Sequence, residues 1–129
     1  MSATGPAAWL AIAVGAVLGA WARWGLGLAL NRADQPMPWG TLLANVAGGL
    51  VIGLALAVFE RRPELGAAWR PFLVTGFLGA LTTFSTFSAE SLALLQRGAW
   101  WSALAHASLH LLGALAATAV GWRIGLRLS

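Results

Sequence analysis

The sequence predicts an all-α integral membrane protein with four transmembrane helices, the third broken near its middle. Three observations carry this. Of the 129 residues, 59% are hydrophobic and only 9% are charged, against about 25% charged in soluble domains. The apolar residues fall into four runs near the roughly 20 residues that a bilayer core requires. The third run is interrupted by two glycines followed by a cluster of five hydroxyl residues, Thr82, Thr83, Ser85, Thr86 and Ser88.

The first run extends from about Ala7 to Leu30 and contains Arg23. An arginine at membrane depth is costly unless it is paired or snorkels, so Arg23 either reaches the headgroups or stands at a vestibule where anions gather. The N-terminus lacks a basic segment before this run, so the first span is expected to stay as an anchor. The second run, about Trp39 to Phe59, has no charge, and Asn45 is its only amide, with Thr41 one turn earlier. An amide in hydrocarbon needs partners, which leaves Asn45 as either an interhelical hydrogen bond or a ligand contact.

The third run, about Trp69 to Leu95, contains GFLGALTTFSTFSAE from Gly76 to Glu90. Gly76, Gly79, Thr82 and Thr83 all lower helix propensity, so a break is predicted around 79–83. Backbone groups freed there are tolerated only where protein, water or an ion satisfies them, and free carbonyls at mid-membrane would suit a cation. The alternative is an intact helix whose hydroxyls bond back to carbonyls one turn earlier. Phe84 and Phe87 share a helical face beside Ser85, Thr86 and Ser88. The positive edges of phenyl rings, with hydroxyl donors, can replace part of a small anion's hydration shell and still release it. Simple packing is the competing reading of the two rings.

The fourth run, about Ala99 to Trp122, carries His106 and His110 one turn apart. That is zinc-ligand spacing, but no carboxylate or thiol shares the span, so a metal there lacks ligands. The runs are joined by NRADQPMP, ERRPELGAA and QRG, and all eight tryptophans lie near run ends, as in the aromatic belts of membrane helices. The segments of about 10 alternating residues that mark a membrane β-barrel are missing.

The net charge of +4 rests on arginine alone, since the chain has no lysine. These arginines sit at run ends and form no basic stripe, which argues against nucleic acid. Arg61, Arg62, Arg70, Arg123 and Arg127 fall on the side of the termini, with Arg32 and Arg97 opposite and Arg23 near these two. The termini therefore lean cytoplasmic. The chain lacks cysteine, which removes disulfides and thiolate chemistry. No nucleophile–base–acid constellation or phosphate-binding loop is present, so catalysis is not expected. Glycine pairs at four-residue spacing, Gly15 with Gly19, Gly49 with Gly53 and Gly121 with Gly125, make flat grooves for close helix approach. Packing within the subunit is the plainer reading of any one pair, but four short helices hardly enclose a pathway, so some of these grooves are expected to serve an oligomer.

The segments GAVLGAWARW, WGTLLANVAGGLVIG and TGFLGALTTFSTFSAE resemble those of the Fluc (CrcB) family of small fluoride channels, and the likeness covers all four spans. It implies a single transmembrane channel domain over 1–129, working as an antiparallel, dual-topology homodimer in the cell inner membrane with two fluoride pathways at the interface. It implies passive export of fluoride and no enzymatic activity. By motif, Phe84, Phe87, Ser85, Thr86, Asn45 and Thr41 would line the pathway, with Arg23 toward a vestibule. The carbonyls of Gly79 and Thr82 would hold a structural sodium ion at the dimer centre. Relatives typically carry a tyrosine and small hydroxyl residues in the fourth span, where this chain has His106, His110 and Ala114. His110 is therefore expected to line the vestibule in their place. The rival readings are a small proton-coupled multidrug exporter, which needs a carboxylate where this chain has Arg23, and a noncatalytic membrane assembly subunit, which has no use for the Phe, Ser and Thr cluster.

Overall fold

A computed structural model describes residues 5–129. They form helices α1 (Pro6–Leu30), α2 (Trp39–Arg61), α3 (Pro63–Arg70), a π-helical stretch Pro71–Leu78, α4 (Gly79–Leu81), α5 (Phe84–Gln96) and α6 (Trp100–Leu128), with no strand among the described residues. Among the described residues, four helical segments are long and apolar enough to cross a membrane: Pro6–Leu30, Trp39–Arg61, Pro63–Gln96 and Trp100–Leu128.

Two of these outrun the apolar stretches that the sequence marks. The third begins at Pro63, whose fixed φ and missing N–H suit the first helical position. The fourth continues past Trp122 to Leu128, because backbone hydrogen bonding is indifferent to the side chain and Arg123 and Arg127 can extend toward water. Pro71 removes one amide donor from the helical ladder, and the backbone is wound more widely from there to Leu78.

Direction follows from which residues meet. Close approaches pair Gly15 with Phe72 and Gly19 with Phe77, so α1 runs parallel to the first half of the third span. Gly49 meets Ala114, Gly53 meets Thr118 and Gly121 meets Leu50, so α2 and α6 are also parallel. Contacts of α5 with α6 rise on one helix and fall on the other, from Phe87 with His110 to Ser91 with His106, and these two are antiparallel. Gly98, at φ 72°, makes the tight turn between them, a left-handed conformation that a Cβ disfavours.

All three glycine pairs are consumed inside the chain. A Cβ at Gly15 or Gly19 would meet backbone of the third span, at Gly49 or Gly53 backbone of α6, and at Gly121 or Gly125 backbone of α2. The expectation that some pairs serve an oligomer is corrected here, since two parallel helices in one chain each need small residues to come this close. Large apolar side chains line the outside instead, including Trp9, Trp21, Trp24, Trp100 and Trp101. A bilayer satisfies such a surface, and water does not.

Candidate functional site

The break falls at Thr82 and Thr83, both with extended backbone, φ −87° and ψ 152° at Thr82 and φ −152° and ψ 118° at Thr83. Helix α5 restarts at Phe84 with Thr83 as its N-cap, the hydroxyl accepting from the Thr86 N–H at 3.1 Å. In a continuous helix the Thr83 N–H would donate to the Gly79 carbonyl. It donates instead to Asn45 Oδ1 at 2.8 Å, and Asn45 Nδ2 donates back to the Thr83 carbonyl at 3.1 Å. One side-chain amide from α2 thus satisfies both backbone groups of Thr83.

The other carbonyls at the break are treated unequally. Leu78 accepts from the Thr82 N–H at 3.0 Å and the Thr82 hydroxyl at 2.8 Å, and Ala80 accepts from Arg23 Nε at 2.9 Å. Among the described residues, the carbonyls of Gly79 and Thr82 have no donor. Arg23 is accordingly half-buried against the break, and its Nε neither snorkels nor stands free.

Orientation of Asn45 propagates further. Because Oδ1 accepts from a backbone N–H, Nδ2 is fixed as the donor, and it lies 3.1 Å from His110 Nδ1. That nitrogen must then accept, which puts the ring proton of neutral His110 on Nε2. His110 is 5% exposed, and its Nε2 has no partner among the described residues.

Aromatic rings stack beside it. Phe84 and Phe87 have centroids 5.3 Å apart, Phe87 lies 5.2 Å from His106 at an interplanar angle of 8°, and 4.9 Å from His110. Phe84 is 80% exposed. Ser85 Oγ and Thr86 Oγ1 lie 3.2 Å and 3.1 Å from the Thr83 hydroxyl, a short row of oxygens at the start of α5. Asn45, Thr82, Thr83, Phe84, Phe87 and His110 border one cavity of about 550 Å³.

A second polar cluster sits toward the 31–38 loop. Thr41, which is buried, donates to Glu90 Oε1 at 2.6 Å and accepts from Asn31 Nδ2 at 3.1 Å. Asn31 Oδ1 accepts from the N–H groups of Gly40 and Thr41 at 2.7 Å and 3.2 Å, capping α2 from a distance. Glu90 Oε2 is 3.1 Å from His106 Nε2, and His106 Nδ1 is 3.0 Å from Ser91 Oγ. His106 is completely buried. Glu90 also faces a mouth cavity of about 410 Å³ bordered by Asn31, Arg32 and Arg97. The chain of contacts Asn31–Thr41–Glu90–His106–His110–Asn45 therefore joins the mouth to the broken helix.

The structure brings Phe84, Phe87, Asn45 and His110 to one cavity, sets Ser85 and Thr86 one hydrogen bond from Thr83, which borders it, and sets Thr41 one step away beside Glu90. Arg23, Gly79 and Thr82 belong to the break. Sequence reading missed Asn31, Glu90 and Ser91 as members of the network. One signal was available: Glu90 and His106 are equidistant from Gly98, where an antiparallel hairpin pairs them, and a lone acid inside a span calls for a named partner.

Residues 10–122 match the family model described as CrcB-like protein, Camphor Resistance (CrcB). The chain is 58% identical over 116 residues to a protein of Bordetella petrii, covering 90% of this chain and 89% of that one. It is 54% identical over 112 residues to one of Pseudomonas putida, covering 87% and 88%, and 52% identical over 113 residues to one of Marinobacter nauticus, covering 88% and 90%. All three relatives are named fluoride-specific ion channel FluC. The chain belongs to the CrcB family.

Proposed function

We propose, with CrcB-family membership as the premise, that this chain is a passive fluoride channel of the inner membrane that lets cytoplasmic fluoride leave down its electrochemical gradient, and that it is not an enzyme. The observation that carries the reading is the broken third span, where Asn45 fixes Thr83 and sets Phe84 and Phe87 beside a row of hydroxyls. Fluoride is small and strongly hydrated. Positive ring edges, the Ser85 and Thr86 hydroxyls and the Nε2–H of His110 replace part of its shell without a fixed cation. Binding by partial charges stays weak enough for release. Thr41 and Asn45 complete the polar side of the route.

The working unit we propose is an antiparallel homodimer with two pathways at the interface. In support, Phe84 is exposed at the site, and the carbonyls of Gly79 and Thr82 have no donor among the described residues. Lipid cannot satisfy such carbonyls. Their oxygen-only donor set fits a hard cation such as sodium. Gly79 and Thr82 of two subunits would hold it, and the ion would supply positive charge that neutralises carbonyl dipoles at the dimer centre. The residues do the rest: Arg23 closes Ala80, Asn45 closes Thr83, and the break keeps its shape. The arginine bias toward cytoplasmic termini weighs against equal insertion in both directions and makes topology worth measuring.

Purified protein in liposomes is expected to release fluoride, and not chloride, when a potassium gradient drives anion efflux past an ion-selective electrode. Fluoride retained at the level of protein-free liposomes would overturn the reading. Since the chain has no cysteine, Ser129→Cys gives a unique label site. About half of it should react from outside sealed cells if both orientations occur, and labelling near zero or near completion contradicts dual topology.

A further inference from the structure

We infer that Glu90, His106 and His110 form a binding site for a borderline divalent transition metal, Zn2+ above all, on the polar route between the mouth and the broken helix. The three side chains come from two helices, and one ligand atom of each lies within 4.8 Å of the others. Glu90 Oε2 and His106 Nε2 are already 3.1 Å apart. A tetrahedral Zn2+ with N and O bonds of about 2.0–2.2 Å sets its ligand atoms about 3.4 Å apart, so only His110 has to swing inward. Two imidazoles one helical turn apart with a carboxylate make a His2Glu set, which leaves a fourth position for water or a permeating anion. Two nitrogen donors select Zn2+, Co2+ or Ni2+ over Na+, Mg2+ and Ca2+.

Two further observations point to a ligand. His110 Nε2 is a buried polar atom with no partner among the described residues, which is unusual enough to demand an explanation. His106 has its Nδ1 held by Ser91 Oγ at 3.0 Å, the outer contact that turns Nε2 toward a metal. The tautomer of His110 must change on binding. Its proton moves from Nε2 to Nδ1, where the Asn45 amide hydrogen now points, so Asn45 and His110 separate. The metal thereby fills the route and takes the His110 ring away from the amide that holds the break. Access is through the mouth cavity, where Arg32 is paired with Asp34 at 3.0 Å and Arg97 Nε is turned onto the Ala93 carbonyl at 3.2 Å.

Metal binding stands independently of the fluoride reading, whereas its effect on flux rests on that reading. Metal-free protein in detergent is titrated with Co2+ and followed by visible absorption, then challenged with Zn2+. One Co2+ per chain with a tetrahedral spectrum displaced by Zn2+ is expected, abolished in His106→Ala and His110→Ala. Ser91→Ala, which keeps all three ligands, should bind about 10–100-fold more weakly and guards against loss of fold in the histidine variants. Equal Co2+ affinity in wild type, His110→Ala and Ser91→Ala overturns the site. Zn2+ is also expected to slow fluoride efflux at least tenfold, reversed by EDTA. Binding without block keeps the metal site and overturns its place on the route. Binding in a protein that never passes fluoride keeps the site and removes the channel reading.

Discussion

The two halves of α6 pack by opposite rules. Its C-terminal half lies so close to α2 that a Cβ on Gly121 would run into the Leu50 carbonyl, and one on Gly125 into Leu54 and Ala57. Its N-terminal half meets α5 through His106, His110, Phe87, Glu90 and Ser91, with side chains filling the gap. The first seam is backbone against backbone and has no slack. The second is made of rings and polar tips that can rotate about their own bonds, and a cavity remains beside it. A scaffold half and a working half thus share one uninterrupted helix.

The largest effect is expected at the first seam. Gly121→Val puts side-chain atoms where only backbone oxygen stands, so the cost should reach or exceed the roughly 1–3 kcal/mol of ordinary overpacking. Thermal unfolding in detergent, with size-exclusion chromatography, should show early melting or aggregation. A normal melting curve would mean that α2 and α6 can part freely, and the contrast between the halves would fail.

Next comes Asn45→Ala, which strips the Thr83 N–H and carbonyl and His110 Nδ1 of their partner. Each buried polar group left unsatisfied costs about 1–3 kcal/mol, and the nearby cavity can admit water, so a net loss of about 2–3 kcal/mol is expected in the same melting assay. Asn45→Asp keeps the acceptor for Thr83 N–H and should recover part of it. No difference between the two variants would show that the amide does not hold the break.

Phe87→Ile tests the working half directly. It removes a ring edge while keeping most of the apolar volume, and an edge interaction of about 0.5–1.5 kcal/mol corresponds to a slowing of fluoride efflux of up to about tenfold. Phe84→Ile should slow efflux as well, with a smaller change in the melting of the isolated subunit, because Phe84 is exposed on this chain. Unchanged flux in both moves the pathway elsewhere.

The smallest effect belongs to the 31–38 loop, away from both seams. The Arg32 guanidinium beside Asp34 holds its carboxyl below the ordinary 3.8. A depressed carboxylate pKa gives stability that is present above the unfolded value and lost as pH falls through the folded one, so any contribution begins to fade only near 3.8 and is gone below the lowered pKa. Both side chains are exposed, and solvent and salt screen the pair. Asp34→Asn should leave melting at neutral pH unchanged, and a clear shift would give the loop a structural role that its exposure argues against.

Much of this arrangement is readable in the residues. Gly79, Thr82 and Thr83 announce the break because two β-branched residues after a glycine weaken a helix wherever they stand. Asn45 announces itself as a buried amide in need of partners, although its partner, the Thr83 backbone, could not be named. The Glu90–His106 pair went unread because each looks isolated within its own span. The glycine pairs mark close helix contacts in the sequence but leave open whether the partner helix lies in the same subunit or another, since a groove carries no mark of which helix will fill it.

By itself the sequence determined four membrane-crossing helices and a weak point in the third, because helix hydrogen bonds are local and apolar length alone decides what can cross a bilayer. Only the tertiary structure decided that Asn45 takes over the hydrogen bonds of Thr83, that Arg23 turns onto Ala80, and that a glutamate and two histidines converge. Those outcomes depend on the rotation and register of one helix against another, and no single helix encodes them.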